Sequence, residues 1–475
     1  MVNVDNLQAI LTRSSAKPLT SVLLFQIVAA DAARQFLKEW IGKVPAGMAA
    51  ESADTPAIHL LFTWPGLEKL LADHASLDLA QGRREIERFF TDPGQAPDAA
   101  EAAQFGFVGA SDPAGWWDGK FKSSAIDFAV HMCFDNAAQQ TDWLGRLRQA
   151  AAAQGLREHT LTSFQGGALS GFRPADGRLH FGYRDGVSKF AVDWKDEGLA
   201  GAVNFREFLV GFSKDASDPG DTTRDDGYAT MPIRSGPWKD FAREGAFAAV
   251  TWMCQDVAGF NKFLKDNAAK APAQVKPENA QDWVAAKLMG RWRDGTSLSK
   301  CPFAPPAVPD LSNDFGYGDD PDGEKAPLTS HIRVTNLRDQ PLKPADAVKF
   351  PAGPPRFIRR GFSYGPPLVG DHDDNQQRGV VGAFFFARVN EQFYSILRWM
   401  QKTDFSEAFG AVPNGRNAQD ALIGNRSLAK ANANLQFPIG GGAAQTLALK
   451  TFVTYKGVVI LFAPSLGALR ILAGA

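Results

Sequence analysis

The residues of this 475-residue chain whose types and spacing suit chemistry are seven histidines, one carboxylate set between glycines, and two adjacent arginines. His59 and His131 sit inside apolar runs, IHLLFTW and IDFAVHMCF, the setting of a hydrogen-bonded structural imidazole, while His74 and His159 read as surface positions. His372, in GDHDDNQQRG beside Asp371, Asp373 and Asp374, has the donor types for a metal, although an acidic loop with a single histidine is ordinarily just solvated. His331 is set differently. It follows a long Pro- and Asp-rich stretch in TSHIRVTNLRDQ, with Arg333 and Arg338 close behind. A histidine at an element boundary flanked by arginines can ligate haem iron while the cations meet the propionates; a generic histidine among surface arginines fits the same pattern.

The second feature is FGYRDGVSKF, residues 181–190, in which glycines around Asp185 permit a tight turn close to a ligand and project a carboxylate from it. An ordinary Asp-Gly turn explains it equally well. The third is RFIRRGFSYGPP, residues 356–367. Strand alternation puts Arg359 and Arg360 on opposite faces, and an arginine facing inward needs an anionic partner or a function. Cys133, Cys254 and Cys301 are widely spaced, with no CxxC pair for zinc and no CxxCH for covalent haem attachment. Cys301, ahead of Pro302 and Phe303, invites a thiolate-ligand reading, but His331 has the better setting.

The elements that must position these residues recur as strand running into helix. Residues 21–28 (SVLLFQIV) lead into a helical spacing from Asp31, 126–134 (IDFAVHMCF) into one after Asp135, 246–253 (AFAAVTWM) into one after Asp256, and 380–389 (VVGAFFFARV) into Phe393, Ile396, Leu397 and Met400. Extended segments at 58–64, 357–364 and 451–462 lie between them. Each half then has the split βαβ order, which predicts an α+β fold of two ferredoxin-like domains, each an antiparallel sheet with peripheral helices. The expected division is 1–213, carrying the Asp185 turn, and 238–475, with a breakpoint in the Asp-, Gly- and Pro-rich 215–237. Hydrophobic residues at 44% and charged ones at 22% exclude a disordered or low-complexity chain. A net charge of -1 gives no basic field for nucleic acid, and no run of about 18 apolar residues is present to span a membrane. The few cysteines and the lack of a signal-like N-terminus lead us to expect a cytoplasmic location.

Gly-x-x-Asp-Gly, then His-Ile-Arg, then Ile-Arg-Arg-Gly-x-x-Tyr-Gly, in this order, resemble the dye-decolorising peroxidase family of haem enzymes. AAKLMGRWRDGTSL (285–298), the segment near FLVGF (208–212) and FAPSLGALRIL (462–472) look like the family too, so the resemblance covers about the last two thirds of the chain. It implies one non-covalent haem b per chain in the C-terminal half, with His331 as the proximal iron ligand and Arg333 as a haem-binding cation. It further implies Asp185 as the distal carboxylate and Arg359 as the distal cation, with Arg360 the alternative if the register slips by one. Phe384 and Phe386, on one face by alternation, are expected to line the pocket. The activity implied is reduction of hydrogen peroxide with oxidation of dyes, phenols or other aromatic donors, at a haem edge or through Trp and Tyr such as Trp252, Trp399, Tyr364 and Tyr394. Asp185 would carry a proton between the peroxide oxygens while Arg359 stabilises charge on the breaking bond. Leu337, where the family often has Pro, and Ser188-Lys189-Phe190, where it often has Ser-Gln-Pro, bear on substrate approach. A haem storage or delivery protein with weak peroxidase activity is the competing reading, and a homo-oligomer is compatible with either.

Overall fold

A computed structural model of the chain describes residues 2–85, 99–212, 236–340, 354–401, 419–428, 434–438 and 444–474. The expected breakpoint at 215–237 lies almost wholly outside the described residues. The strands are β1 (Leu19–Ile27), β2 (Ala57–Phe62), β3 (Phe128–Phe134), β4 (Leu156–His159), β5 (Leu169–Phe172), β6 (Val192–Asp193), β7 (Val203–Asn204), β8 (Ala246–Gln255), β9 (Ile358–Arg359), β10 (Phe362–Tyr364), β11 (Gly379–Phe386), β12 (Asn434–Pro438), β13 (Ala444–Ala448) and β14 (Val453–Ala463). The fold is α+β. The N-terminal half orders its strands β4–β1–β3–β2 and the C-terminal half β14–β8–β11–β9, so both have the same antiparallel arrangement with helices in the crossovers.

The two halves do not stop at their own edges. β2 joins β14 through the pair Phe62 and Phe462, while β10 bridges β5 and β11, so ten strands form one sheet that closes on itself. The sequence explains why this closure is favourable: β1, β2, β3, β8 and β14 carry apolar residues at nearly every position and are buried along almost their whole length. A strand apolar on both faces needs cover on both, and the outer helices and the facing strands of the ring supply it. One apolar core accordingly contains Leu23 and Phe128 from the first half and Val250, Phe385 and Leu461 from the second.

Helix ends follow local chemistry in most places. Asn136 accepts from the Gln139 amide ahead of the helix Ala137–Ala153, and Asp256 accepts from the Gly259 amide at 2.8 Å ahead of Val257–Asn267. Asp31 does not cap its helix. Ala29 stands at the N-cap, and Asp31 lies in the first turn of Ala30–Ile41, paired with Arg34. After β11 the chain makes a six-residue π-helix, Val389–Tyr394, before the α-helix Ser395–Gln401. The side chain of Gln392 accepts from the amides of Ala387 and Arg388 and fixes that wide turn. Phe393, Ile396, Leu397 and Met400 from these two helices are brought to the cavity described next.

Candidate active site

A cavity of about 320 Å³ lies in the C-terminal half, and its lining includes His331, Arg359, Asp185 and Phe384. Nearly all of its walls come from residues after 250; the exception is the loop 179–190 of the N-terminal half, which reaches over it.

His331 opens the short helix His331–Thr335. Its Nδ1 lies 2.8 Å from Oδ2 of Asp420, whose carboxylate is fully buried and whose Oδ1 accepts from the amides of Leu422 and Ile423 at 2.9 Å each. An ionised carboxylate can only accept, so the proton of the neutral imidazole belongs on Nδ1 and the lone pair on Nε2. That is the tautomer and orientation an iron ligand needs.

Asp185 is placed by its turn. Its amide donates to the Gly177 carbonyl at 2.8 Å, and one carboxylate oxygen accepts from the Gly186 amide at 2.7 Å. Gly182 and Gly186 have φ of +85° and +74°, where a side chain is strained. Arg359, on β9, donates from Nη2 to the Ser188 carbonyl at 2.8 Å, which ties it to the loop that carries Asp185. Arg359 is exposed and lines the cavity; desolvation lowers its pKa while the Asp185 charge raises it. No hydrogen bond links His331 to Asp185 or Arg359, nor those two to each other, so the cavity presents an imidazole, a carboxylate and a guanidinium as separate groups.

Two of the expected haem contacts are elsewhere. Arg333 does not line the cavity: it is fully buried, donating to Oδ2 of Asp320 at 3.0 Å and to the carbonyls of Ala326 and Asp320, and it stacks over Tyr317. The physical reason is helical spacing, since two residues past His331 the side chain leaves on another face of the helix. Phe386 shares its face with Phe384, as alternation requires, yet sits deeper, stacked on Phe393 at 5.6 Å and absent from the cavity wall. Arg360 points away from the cavity and donates to the carbonyls of Ile10 and Leu11. Cys301 is also outside the lining, and burial raises its thiol pKa, while His372 is exposed. Trp252, Trp399, Tyr364 and Tyr394 are all buried packing residues, with Trp252 and Tyr364 at 6.5 Å.

Two residues at the site, Asp420 and Arg291, were not singled out by chemistry in the sequence, whereas Arg338 was noted there as a cation beside His331. Asp420 lies 89 residues beyond His331 and belongs to none of the motifs named above. Arg291 lies in the family-like segment 285–298, and Arg338 stands seven residues after His331. Both arginines line the cavity, both stack on Phe315, and neither has a carboxylate ion-pair partner among the described residues. Their Nε atoms are buried without a hydrogen-bond partner, and burial together with the Arg338 charge lowers the Arg291 pKa to about 10. Two such cations beside a cavity with an oriented imidazole suit a planar group that carries carboxylates and a metal, and the residues present therefore fit a haem.

No protein-family model matches the chain. In sequence it is similar to a dye-decolorizing peroxidase of Mycetinis scorodonius, 27% identical over 322 residues covering 63% of this chain and 58% of that protein. It is also similar to one of Exidia glandulosa, 25% identical over 338 residues covering 66% and 61%. A multifunctional dye peroxidase of an Amycolatopsis strain is 29% identical over 201 residues, covering 39% and 40%. The matched stretch is thus under two thirds of each relative's length. Among solved structures, a variant of the dye-decolorizing peroxidase from Pleurotus ostreatus aligns with a TM-score of 0.76 at 20% identity, covering 99% of both chains. A dye-decolorizing peroxidase in complex with 2,6-dimethoxyphenol aligns at 0.75 and 20%, covering all of both chains. The protein has the fold of the dye-decolorising peroxidases, a family of haem enzymes. Its resemblance to that family, drawn from three motifs, extends to its sequence relatives and its architecture.

Proposed function

We propose that the chain is a haem-dependent peroxidase that reduces hydrogen peroxide and oxidises dyes, phenols or other aromatic one-electron donors. The observation that carries this reading is one cavity lined both by a carboxylate-oriented imidazole and by a separate carboxylate, Asp185, and guanidinium, Arg359, that feel each other's charge without a direct bond. A storage or delivery protein needs the first of these and has no use for the second. The phenol in one solved relative supports the donor class.

Haem b, one per chain and held without a covalent link by His331, would supply the redox chemistry of peroxide reduction. Arg291 and Arg338 are placed to hold its carboxylates, and Phe384 supplies an apolar wall. Asp420 keeps the His331 ring turned with Nε2 into the cavity. Asp185 takes the proton from one peroxide oxygen and delivers it to the other, so the departing oxygen leaves as water. Arg359 stabilises the charge that develops on that oxygen, and its bond to Ser188 fixes it there beforehand. Over the whole turnover two donor molecules would each give up one electron and, with two protons, both peroxide oxygens would leave as water. The three cysteines form no disulfide, which supports a reducing, cytoplasmic setting.

The test is an absorption spectrum of the haem-loaded protein with a steady-state assay on peroxide and an anthraquinone dye. Turnover with a histidine-type spectrum is expected. Stoichiometric haem with no turnover would favour the storage reading.

A further inference from the structure

On the side of β9 away from Arg359 lies a second, smaller pocket of about 30 Å³, at the junction of the N-terminal segment with the closed sheet. Its walls include Arg13, Lys17, Arg173 and Arg360 together with the paired histidines His59 and His131. The charges do not balance. Lys17 is taken up by Asp135 and the Ser52 carbonyl, and Arg360 and Arg173 donate to backbone carbonyls. Glu51 at the rim accepts from the Ala16 amide and pairs with none of the four cations among the described residues. Four cations against Glu51 and Asp135 leave the pocket net positive.

Its unused hydrogen-bonding groups are mostly donors. Nε and Nη2 of Arg13 are buried with no partner, and its Nη1 makes one long contact, 3.5 Å, to the Gly47 carbonyl. His59 and His131 sit opposite each other in the β2–β3 register, each 3% exposed, with their Nδ1 atoms 3.4 Å apart and neither Nε2 bonded. In the neutral pair one Nδ1 donates to the other, so the accepting ring carries its proton on Nε2, a buried donor with no partner. Protonating the second ring adds another. Unpaired buried guanidinium nitrogens are costly, and an acceptor with a negative charge satisfies all of these groups together.

We propose that this pocket is a binding site for a compact monovalent anion of halide size, held between Arg13 and the His59–His131 pair. The space, about two water-sized spheres, limits the occupant. Burial, then the charge of His131, then those of Arg360 and Arg13 hold the His59 pKa well below its usual value, and burial with Arg360 lowers that of His131 to about 4; Lys17 and Arg173 are the other cations facing the pair, and Glu51 the opposing charge. An anion reverses that balance, so it binds more tightly as pH falls, with uptake of a proton by the pair.

The site is tested on the full-length haem-loaded chain by thermal denaturation at constant ionic strength, exchanging sodium gluconate for sodium chloride, bromide or nitrate at pH 5.5 and 7.5. A saturable rise in Tm with the three small anions, larger at pH 5.5, is expected. Arg13→Gln should weaken the apparent affinity by about tenfold or more, the loss of a charge-assisted contact. Equal responses to gluconate and chloride, or a wild-type response in Arg13→Gln, would overturn the proposal. Crystals grown in sodium bromide give an answer independent of any variant: an anomalous peak between Arg13 and the histidine pair is expected, and its absence refutes the site.

Discussion

His331, Asp185 and Arg359 come from three short motifs far apart in the sequence, and the fold brings all three to the lining of one cavity. Asp420, unlike them, was not legible in the sequence, because it is 89 residues from its partner and its neighbours carry no periodicity. Its role predicts a measurable effect: Asp420→Ala removes the acceptor that fixes the imidazole tautomer and should lower haem affinity or activity by about 10- to 100-fold. Haem retention on dilution, with the position of the Soret band, reads this out; unchanged values would show that His331 needs no anchor. The distal pair is separable too. Asp185→Asn should slow peroxide reduction by about a hundredfold or more, the usual cost of losing an acid–base group. Arg359→Leu should be the more damaging, since water can replace a proton carrier more easily than a fixed cation. Stopped-flow mixing with peroxide ranks them, and wild-type rates in both would dismiss the distal assignment.

At the scale of elements, the strand–helix alternation was readable because burial on both strand faces and one helix face leaves strong periodic signals. The helix His331–Thr335 was not, being five residues long and below the length at which helix propensity matters. It is held from outside. Arg333 docks it onto Asp320, which also accepts from the amides of Lys325 and Ala326 at 3.0 and 2.9 Å. Arg333, expected as a haem contact, takes as its tertiary partner a carboxylate thirteen residues earlier in a loop without pattern, while Arg338, beyond the helix's end, lines the cavity. Arg333→Ala leaves the Asp320 charge buried and should cost about 3–5 kcal/mol of stability. Denaturation of the haem-free and haem-loaded forms measures it. A loss confined to the loaded form would restore Arg333 as a cofactor contact.

At the scale of the whole molecule, neither the joining of β2 to β14 nor that of β5 to β10 has a local signature, because the pairing strands are hundreds of residues apart. Cutting the chain between 213 and 238 would expose β2, β5, β10 and β14 as open edges, so separately expressed halves should aggregate where the intact chain stays monodisperse. The buried histidine pair belongs to β2 and β3, neighbouring strands of this closed sheet, and contributes to its response to acid. The His131 pKa is about 4 in the folded chain against 6.5 in the free side chain, so the unfolded state binds the proton more readily throughout that interval. Stability is therefore complete above pH 6.5 and falls as the pH drops towards 4, by about 3 kcal/mol if only one proton enters the pair. Urea midpoints measured in gluconate across this range should show the decline, and His131→Gln should flatten it; a level wild-type profile would remove the pair from the account. Chloride should make the decline shallower, because a bound anion lets the folded pair keep the proton that otherwise favours unfolding.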